Sequence, residues 1–282
     1  MSLVVVRPGP LATVQDAGRF GHSAVGVGHA GAADRAAWRL ANRLVGNDEA
    51  AAAVEITMGG FAVRATHPVT VALSGAACPV LVDGRPSRHV EAIRLDAGTL
   101  LELGVPERGL RSYLAVRGGI EVTPVLGSRS TDTMAGIGPA PLVAGASLPI
   151  GQALHQIPAA DVVPLSLPGE LTLRVLLGPR DDWFTLAAID ALLGQPWTVS
   201  ADADRVGIRL QGAPLGRRRR DELPSEGCVR GALQVSGDGM PTMLLSDHPV
   251  TGGYPVIAVV TDVDTDHAAQ ARPGTTIRFR RR

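Results

Sequence analysis

The chain has 282 residues, with 27 basic and 27 acidic side chains and no formal net charge at pH 7, which argues against nucleic acid or an anionic membrane surface as a partner. No apolar run approaches the ~20 residues of a membrane span. The opening MSLVVVRPGP lacks the basic region and long apolar core of a secretory leader, so a cytoplasmic protein is expected.

Every one of the 27 basic residues is arginine. A chain without lysine has no P-loop lysine, no Schiff-base lysine and no lysine to carry biotin or lipoate. Cys78 and Cys228 fit neither a disulfide framework nor a zinc spacing, and both read as buried structural thiols. The seven histidines show no metal-ligand spacing, so no metal site is expected on this chain. No G-x-S-x-G elbow supports a hydrolase triad.

In chain order, the first regular element is a helix from Asp34 to Val45. Ala37, Leu40, Ala41, Leu44 and Val45 recur at helical spacing, Asp34 serves as cap or first-turn acid, and Gly46–Asn47 is a stop. Strands are then read at Val69–Leu73, Pro79–Val82, Thr99–Leu103 and Tyr113–Val116, with a hairpin turn at Asp83–Gly84 and another turn at Asp96–Gly98. Ala153–Pro168, with three prolines and little periodicity, reads as a linker over 153–168. Beyond it come a strand at Leu171–Leu177 and a helix from Asp181, its expected cap, to Leu193. Further strands are read at Trp197–Ser200, Val206–Leu210, Gly231–Val235, Met243–Leu245, Val256–Val260 and Thr275–Phe279, with a turn at Ser236–Gly239. Many short strands and few helices give a mainly β protein of barrel or sandwich type, in two halves, 1–155 and 165–282.

Polar clusters punctuate this frame. Gln15, Asp16 and Arg19 crowd together among glycines; an Asp–Arg pair can fix a loop, and an arginine fork can bind a carboxylate. Arg117–Gly118–Gly119, followed by the hydroxyl-rich Ser128–Thr131, offers a phosphate or carboxylate site or a self-satisfied turn. Asp204, Arg205 and Arg209 read as salt-bridging residues, and Arg217–Arg220 as a solvated loop. Ser225, Glu226 and Gln234 precede the most polar stretch, Ser246–Tyr254, which holds Asp247, His248, Thr251, Gly252, Gly253 and Tyr254 between two strands. Glu226 suits a general base or an acceptor for an amide N–H, and Gln234 matches an amide with both donor and acceptor. A small polar molecule is expected at this patch.

The motifs T-V-Q-D-x-G-R-x-G, A-N-R-L-V-G-N, V-E-I-T, Y-L-A-V-R-G-G-I, L-G-S-R-S-T, D-R-V-G-I-R-L-x-G, S-E-G and T-G-G-Y-P, in that order from residue 13 onward, resemble the biotin-dependent carboxyltransferase-like family, also called allophanate hydrolase subunit 2-like. That family includes the C subunits of 5-oxoprolinase and the KipI antagonist. The sequence departs from its pattern at Pro139–Ala140, at Gly145–Ala146, and at Ala203, where a hydroxyl is expected. The resemblance implies two cyclophilin-like β-barrel subdomains with a few short helices. It also implies one component of a complex with the KipI-like B subunit of 5-oxoprolinase and its LamB/YcsF-like A subunit, which uses ATP (with Mg, held by the complex) to open 5-oxo-L-proline to L-glutamate. The expected site combines Glu226, Gln234 and Asp16 as catalytic groups with Gln15, Arg19, Ser225, Thr251, Gly252, Gly253 and Tyr254 around the substrate. Arg117, Gly118, Gly119, Ser128 and Thr131 are the candidate anion-binding residues. Two other readings stand beside this one: a carboxyltransferase component that uses biotin carried by another chain, and a non-enzymatic antagonist of a KipI-like kinase inhibitor.

Overall fold

Alternation of apolar side chains sets most of the strands, and a computed structural model, which describes residues 1–158, 171–219 and 221–282, shows how they assemble. The described residues form twenty β-strands and three α-helices in two units. Unit 1 comprises Met1–Phe20, Ala30–Asp132 and Gly136–Leu167, and unit 2 comprises Gly21–His29, Thr133–Ala135 and Pro168–Arg282. Most of the expected linker lies outside the described residues, as does Arg220 of the arginine run.

Unit 1 contains β1 (Ser2–Pro8), β2 (Leu11–Gln15), α1 (Arg35–Leu44), β3 (Ala53–Thr57), β4 (Phe61–Ala65), β5 (Val69–Gly75), β6 (Val80–Val82), β7 (Arg85–Ser87), β8 (Ala92–Leu95), β9 (Leu100–Leu103), β10 (Arg111–Val116) and β11 (Ser147–Pro149). They form a six-stranded sheet, β11-β1-β4-β9-β6-β7, and a five-stranded sheet, β2-β3-β10-β5-β8. Leu3, Val5, Phe61, Val63 and Leu101 of the first sheet share one core with Val14, Val54, Ile56, Leu73 and Leu114 of the second. The opposite face of the second sheet carries small residues, Ala53, Ala72 and Ala115, and there α1 packs with Trp38, Ala41 and Leu44. The period of two thus places large side chains toward one neighbour and alanines toward the helix.

Unit 2 contains β12 (Leu171–Leu177), α2 (Leu186–Gly194), β13 (Trp197–Val199), β14 (Gly207–Gln211), β15 (Glu226–Gly227), β16 (Ala232–Val235), β17 (Pro241–Leu244), β18 (Thr251–Gly252), β19 (Val256–Val260), α3 (Asp262–Ala268) and β20 (Thr276–Arg281). Seven of its strands close into a barrel in the order β12-β19-β16-β17-β14-β13-β20. The ring is completed by a parallel pairing of β12 with β20, Leu171 opposite Ile277. Leu173, Val175, Trp197, Ile208, Leu233, Met243, Ile257 and Phe279 fill its interior. Trp197 is fully buried and donates its indole N–H to Leu192 O at 3.1 Å. Ring closure of the expected kind is found in this unit; in unit 1 the described strands form the two sheets above.

The helix expected at 34–45 is α1, and Asp34 caps it by accepting from Ala37 N at 2.9 Å. The Asp83–Gly84 turn joins β6 to β7, with both residues at positive φ, 49° and 75°, as a two-residue hairpin requires. The helix expected from Asp181 to Leu193 is broken. A single 3-10 turn spans Asp181–Trp183, Phe184 is extended and buried, and α2 starts only after Thr185, whose hydroxyl accepts from Ala188 N at 3.1 Å. Burying Phe184 and bridging it to Arg217 takes the chain out of helical geometry, so Thr185, not Asp181, is the cap of α2. α3 had no apolar stripe to announce it. Its Asp264 is bound by Arg174, whose backbone N, Nε and Nη2 donate at 2.6, 2.8 and 2.9 Å.

Trp197→Ala should cost about 3–5 kcal/mol, and Leu186→Ala on the exposed side of α2 should stay within about 0.5 kcal/mol. Urea denaturation of the two variants beside the wild type measures both.

Candidate functional site

The polar residues near the C-terminus meet at a two-stranded ladder in unit 2. β15 pairs antiparallel with β18, so Glu226 lies opposite Gly252 and Gly227 opposite Thr251. Cys228 N continues the pairing to Val250 O at 2.8 Å. Gln234, on barrel strand β16, brings its amide alongside: Nε2 lies 3.4 Å from Cys228 Sγ and 3.5 Å from Tyr254 O. A Cβ at Gly252 would fall 2.6 Å from that Nε2 and 3.1 Å from the sulfur, so a larger residue there would displace the Gln234 amide. Ser225, Thr251, Gly253 and the ring of Tyr254 are exposed around it.

Arg180, just beyond β12, grips Glu226. Its Nε lies 2.9 and 3.0 Å from the two carboxylate oxygens, and Nη2 also donates to Oε1. The hydrogen bonds from Arg180 hold the Glu226 carboxyl below the usual carboxylate range, and those bonds raise Arg180 in turn. Burial pushes the Cys228 thiol up, partly offset by the Gln234 amide. At neutral pH the cluster therefore presents an anionic acceptor, an amide donor and a neutral thiol.

Asp247 has a different role from its neighbours. It is almost wholly buried and receives Arg205 bidentately, Nε at 3.0 Å and Nη2 at 2.9 Å, together with Thr133 N at 2.9 Å and Thr133 Oγ1 at 2.6 Å. The salt bridge expected for Arg205 thus runs to Asp247, while Asp204 Oδ1 accepts from Val206 N and Gly207 N in its own turn. His248 is buried, donates Nδ1 to Pro249 O at 2.7 Å, and is held below the ordinary imidazole range by burial.

In unit 1 two clusters far apart in sequence become one. Asp16 accepts from Ser128 Oγ, Ser130 Oγ and Arg129 N, each at 2.6 Å, and from Gly18 N at 2.8 Å. Gln15 Nε2 donates to Thr13 Oγ1 and Thr131 O, both at 3.0 Å. Arg19, 1% exposed, donates Nη2 to Ser130 O, while its Nε and Nη1 and the Gln15 Oε1 have no hydrogen-bond partner among the described residues. Arg117 and Gly118 take part elsewhere. Arg117 Nη1 reaches Val45 O at 3.0 Å past the end of α1, its Nη2 reaches His155 O at 2.6 Å, and Gly118 N donates to Asn47 Oδ1 at 2.8 Å. The expected grouping of Arg117–Gly119 with Ser128 and Thr131 is therefore divided: Ser128 belongs with Asp16, and Arg117 lines a separate cleft of about 270 Å³ with Arg94, Thr70 and Ile150.

Two residues of the unit 2 cluster escaped the sequence reading. Arg180 sits in a G-P-R-D-D loop with nothing local to mark a partner 46 positions away. Cys228 carried a signal: it is the second residue after Glu226, on the same short extended segment. It is half-buried rather than a core thiol, unlike the buried Cys78.

The described residues of unit 2 thus form a seven-stranded barrel carrying a polar two-stranded ladder, and comparison gives the class of the chain. The carboxyltransferase domain family, subdomains A and B, matches residues 25–281, and the chain belongs to that family. It is 42% identical to the 5-oxoprolinase C subunit of Escherichia coli K12, over 98% of this chain and 90% of that protein. Among solved structures, TTHA0988 is 35% identical with a TM-score of 0.91, covering 99% of this chain and 55% of the other. The Kluyveromyces lactis urea carboxylase is 30% identical with a TM-score of 0.91, covering 99% of this chain and 27% of that enzyme. The chain thus spans little more than half of one of these solved proteins and about a quarter of the other. No helix among the described residues is long and apolar enough to cross a membrane.

Asp247→Asn should destabilise the protein by about 3–5 kcal/mol, because it takes the charge from a buried carboxylate that receives Arg205 bidentately and Thr133 twice; thermal melting and urea titration read this. The Glu226 carboxyl should titrate below an ordinary glutamate, because Arg180 donates to its charged form. A depressed folded-state value means that its contribution is present above the unfolded pKa and lost as pH falls through the folded one, which carboxyl-carbon NMR follows directly.

Proposed function

We propose that this chain is the C subunit of an ATP-dependent 5-oxoprolinase, acting with a KipI-like B subunit and a LamB/YcsF-like A subunit to open 5-oxo-L-proline to L-glutamate. The observation that carries this reading is the near full-length similarity to the C subunit of 5-oxoprolinase. The unit 2 cluster supports it chemically. Glu226 is the base that takes a proton from the attacking water, Gln234 donates its amide N–H to the lactam oxygen as charge builds there, and Gly252 with Tyr254 frames the ring. In unit 1 Asp16 organises the loop that holds Gln15 and Arg19. Both halves are read as cyclophilin-like, a reading that the closed barrel of unit 2 supports.

The described residues do not fit a self-contained nucleotide site. There is no lysine, the N-termini of α1 and α2 are already occupied by Asp34 and Thr185, and α3 begins with Asp262 and Asp264. A phosphate would meet carboxylates at two of the three helix starts. ATP and its Mg are accordingly assigned to the assembled complex. The alternative of a carboxyltransferase component draws on the similarity to urea carboxylase, with biotin on another chain; inhibition of the reconstituted activity by avidin would favour it.

Mixing this chain with the two partner subunits, ATP and 5-oxo-L-proline, and omitting one component at a time, should give glutamate only from the full set. Glu226→Gln and Gln234→Ala should each abolish that turnover while the complex still assembles on a sizing column. Near-normal turnover in both variants overturns the site.

A further inference from the structure

The Arg180–Glu226 pair has the geometry of a ligand contact made by the protein to itself. A guanidinium edge facing both oxygens of a carboxylate is the arrangement by which arginine recognises carboxylate ligands. The pair is also open, with side chains 37% and 30% exposed, whereas the similar Arg205–Asp247 pair is 1% and 0% exposed. Exposed ion pairs are weakly held, so an incoming carboxylate can exchange with the internal one at little cost. Next to the pair, Gln234 is buried, and among the described residues its Nε2 is engaged by a sulfur at 3.4 Å and a carbonyl at 3.5 Å, long contacts that leave it available to an amide group.

We propose that Arg180 is a carboxylate-binding subsite in which Glu226 stands in for the carboxylate of an anionic amide ligand, so that ligand and Glu226 compete for one guanidinium. Asp182 also acts on Arg180 through space, and it restrains how far the subsite attracts dianions. Binding and activation then become one event. A ligand carboxylate seated on Arg180 releases Glu226, and removal of those hydrogen bonds lifts the constraint that keeps Glu226 a weak base. The released carboxylate lies beside Gln234, where the ligand's amide is held. The ligand class, a small cyclic or linear amide bearing one carboxylate, rests on the oxoprolinase reading above; the competition itself does not.

The test is calorimetric titration of the isolated 282-residue chain with 5-oxo-L-proline and with its uncharged analogue 2-pyrrolidinone, on wild type, Glu226→Gln, Arg180→Met and Arg180→Lys, with a melting curve for each. Removing the internal competitor should make Glu226→Gln bind 5-oxo-L-proline at least about tenfold more tightly than wild type, the value of one charge-assisted contact. Arg180→Met should lose that binding, Arg180→Lys should keep part of it, and 2-pyrrolidinone should not distinguish the variants. Binding to Glu226→Gln that is absent, or no tighter than to wild type, overturns the proposal, as does undiminished binding to a folded Arg180→Met. The outcome is separable from the assignment of activity. Tighter binding to Glu226→Gln with no glutamate from the full complex would leave the subsite standing and remove the oxoprolinase reading; turnover with binding indifferent to Arg180 would do the reverse.

Discussion

The carboxylate of Asp16 is the constraint around which the first unit is arranged. Four donors converge on it, two of them hydroxyls and one a backbone N–H from residues 128–130, more than a hundred positions along the chain. A buried carboxylate is tolerated only where hydrogen bonds replace its hydration. The run Ser128–Asp132 has no apolar side chain of its own and is held by this carboxylate together with Thr131 N, which donates to Val14 O of β2 at 2.9 Å. Gln15 and Arg19 reach carbonyls of the same segment, so three polar residues near the start of the chain serve one purpose.

Unit 2 shows the same chemistry used in two ways. Arg205 with Asp247 and Arg180 with Glu226 are both bidentate pairs, yet one is sealed inside and the other open to solvent. Sealed, the pair carries a large penalty for losing either partner and so fixes the turn before β18. Open, its net worth is small, and its partners are free to be exchanged. Burial, more than geometry, separates a structural charge pair from one suited to handling a ligand.

The strands that could be read in the sequence were those with one apolar face against one polar or small face, such as β5, β9 and β16. β2 and β3 were missed although their polarity alternates: Thr13 and Gln15 flank Val14, Glu55 lies between Val54 and Ile56, and the polar members are as enclosed as the apolar ones. α3 was missed because it is anchored by a salt bridge, which leaves no periodic signature. For the candidate site, Glu226, Gln234 and Gly252 could be proposed from residue chemistry, since a glutamate, a glutamine and a glycine pair between strands are more than a turn needs, and the structure brings the three together. Arg180 could not be named, because its partner is set by barrel closure and not by neighbouring sequence. The salt bridge of Arg205 could be expected, but its partner Asp247, 42 positions away, could not be read for the same reason.

The parallel pairing of β12 with β20 has a bearing on synthesis. Both neighbours of the first barrel strand are made late, β19 and then its closing partner β20, so a growing chain holds β12 with both edges uncovered until Val260 is added and with one uncovered until Arg281. Unit 2 can therefore complete its ring only once β20 has left the ribosome, and damage to that last strand would disable the barrel at its first.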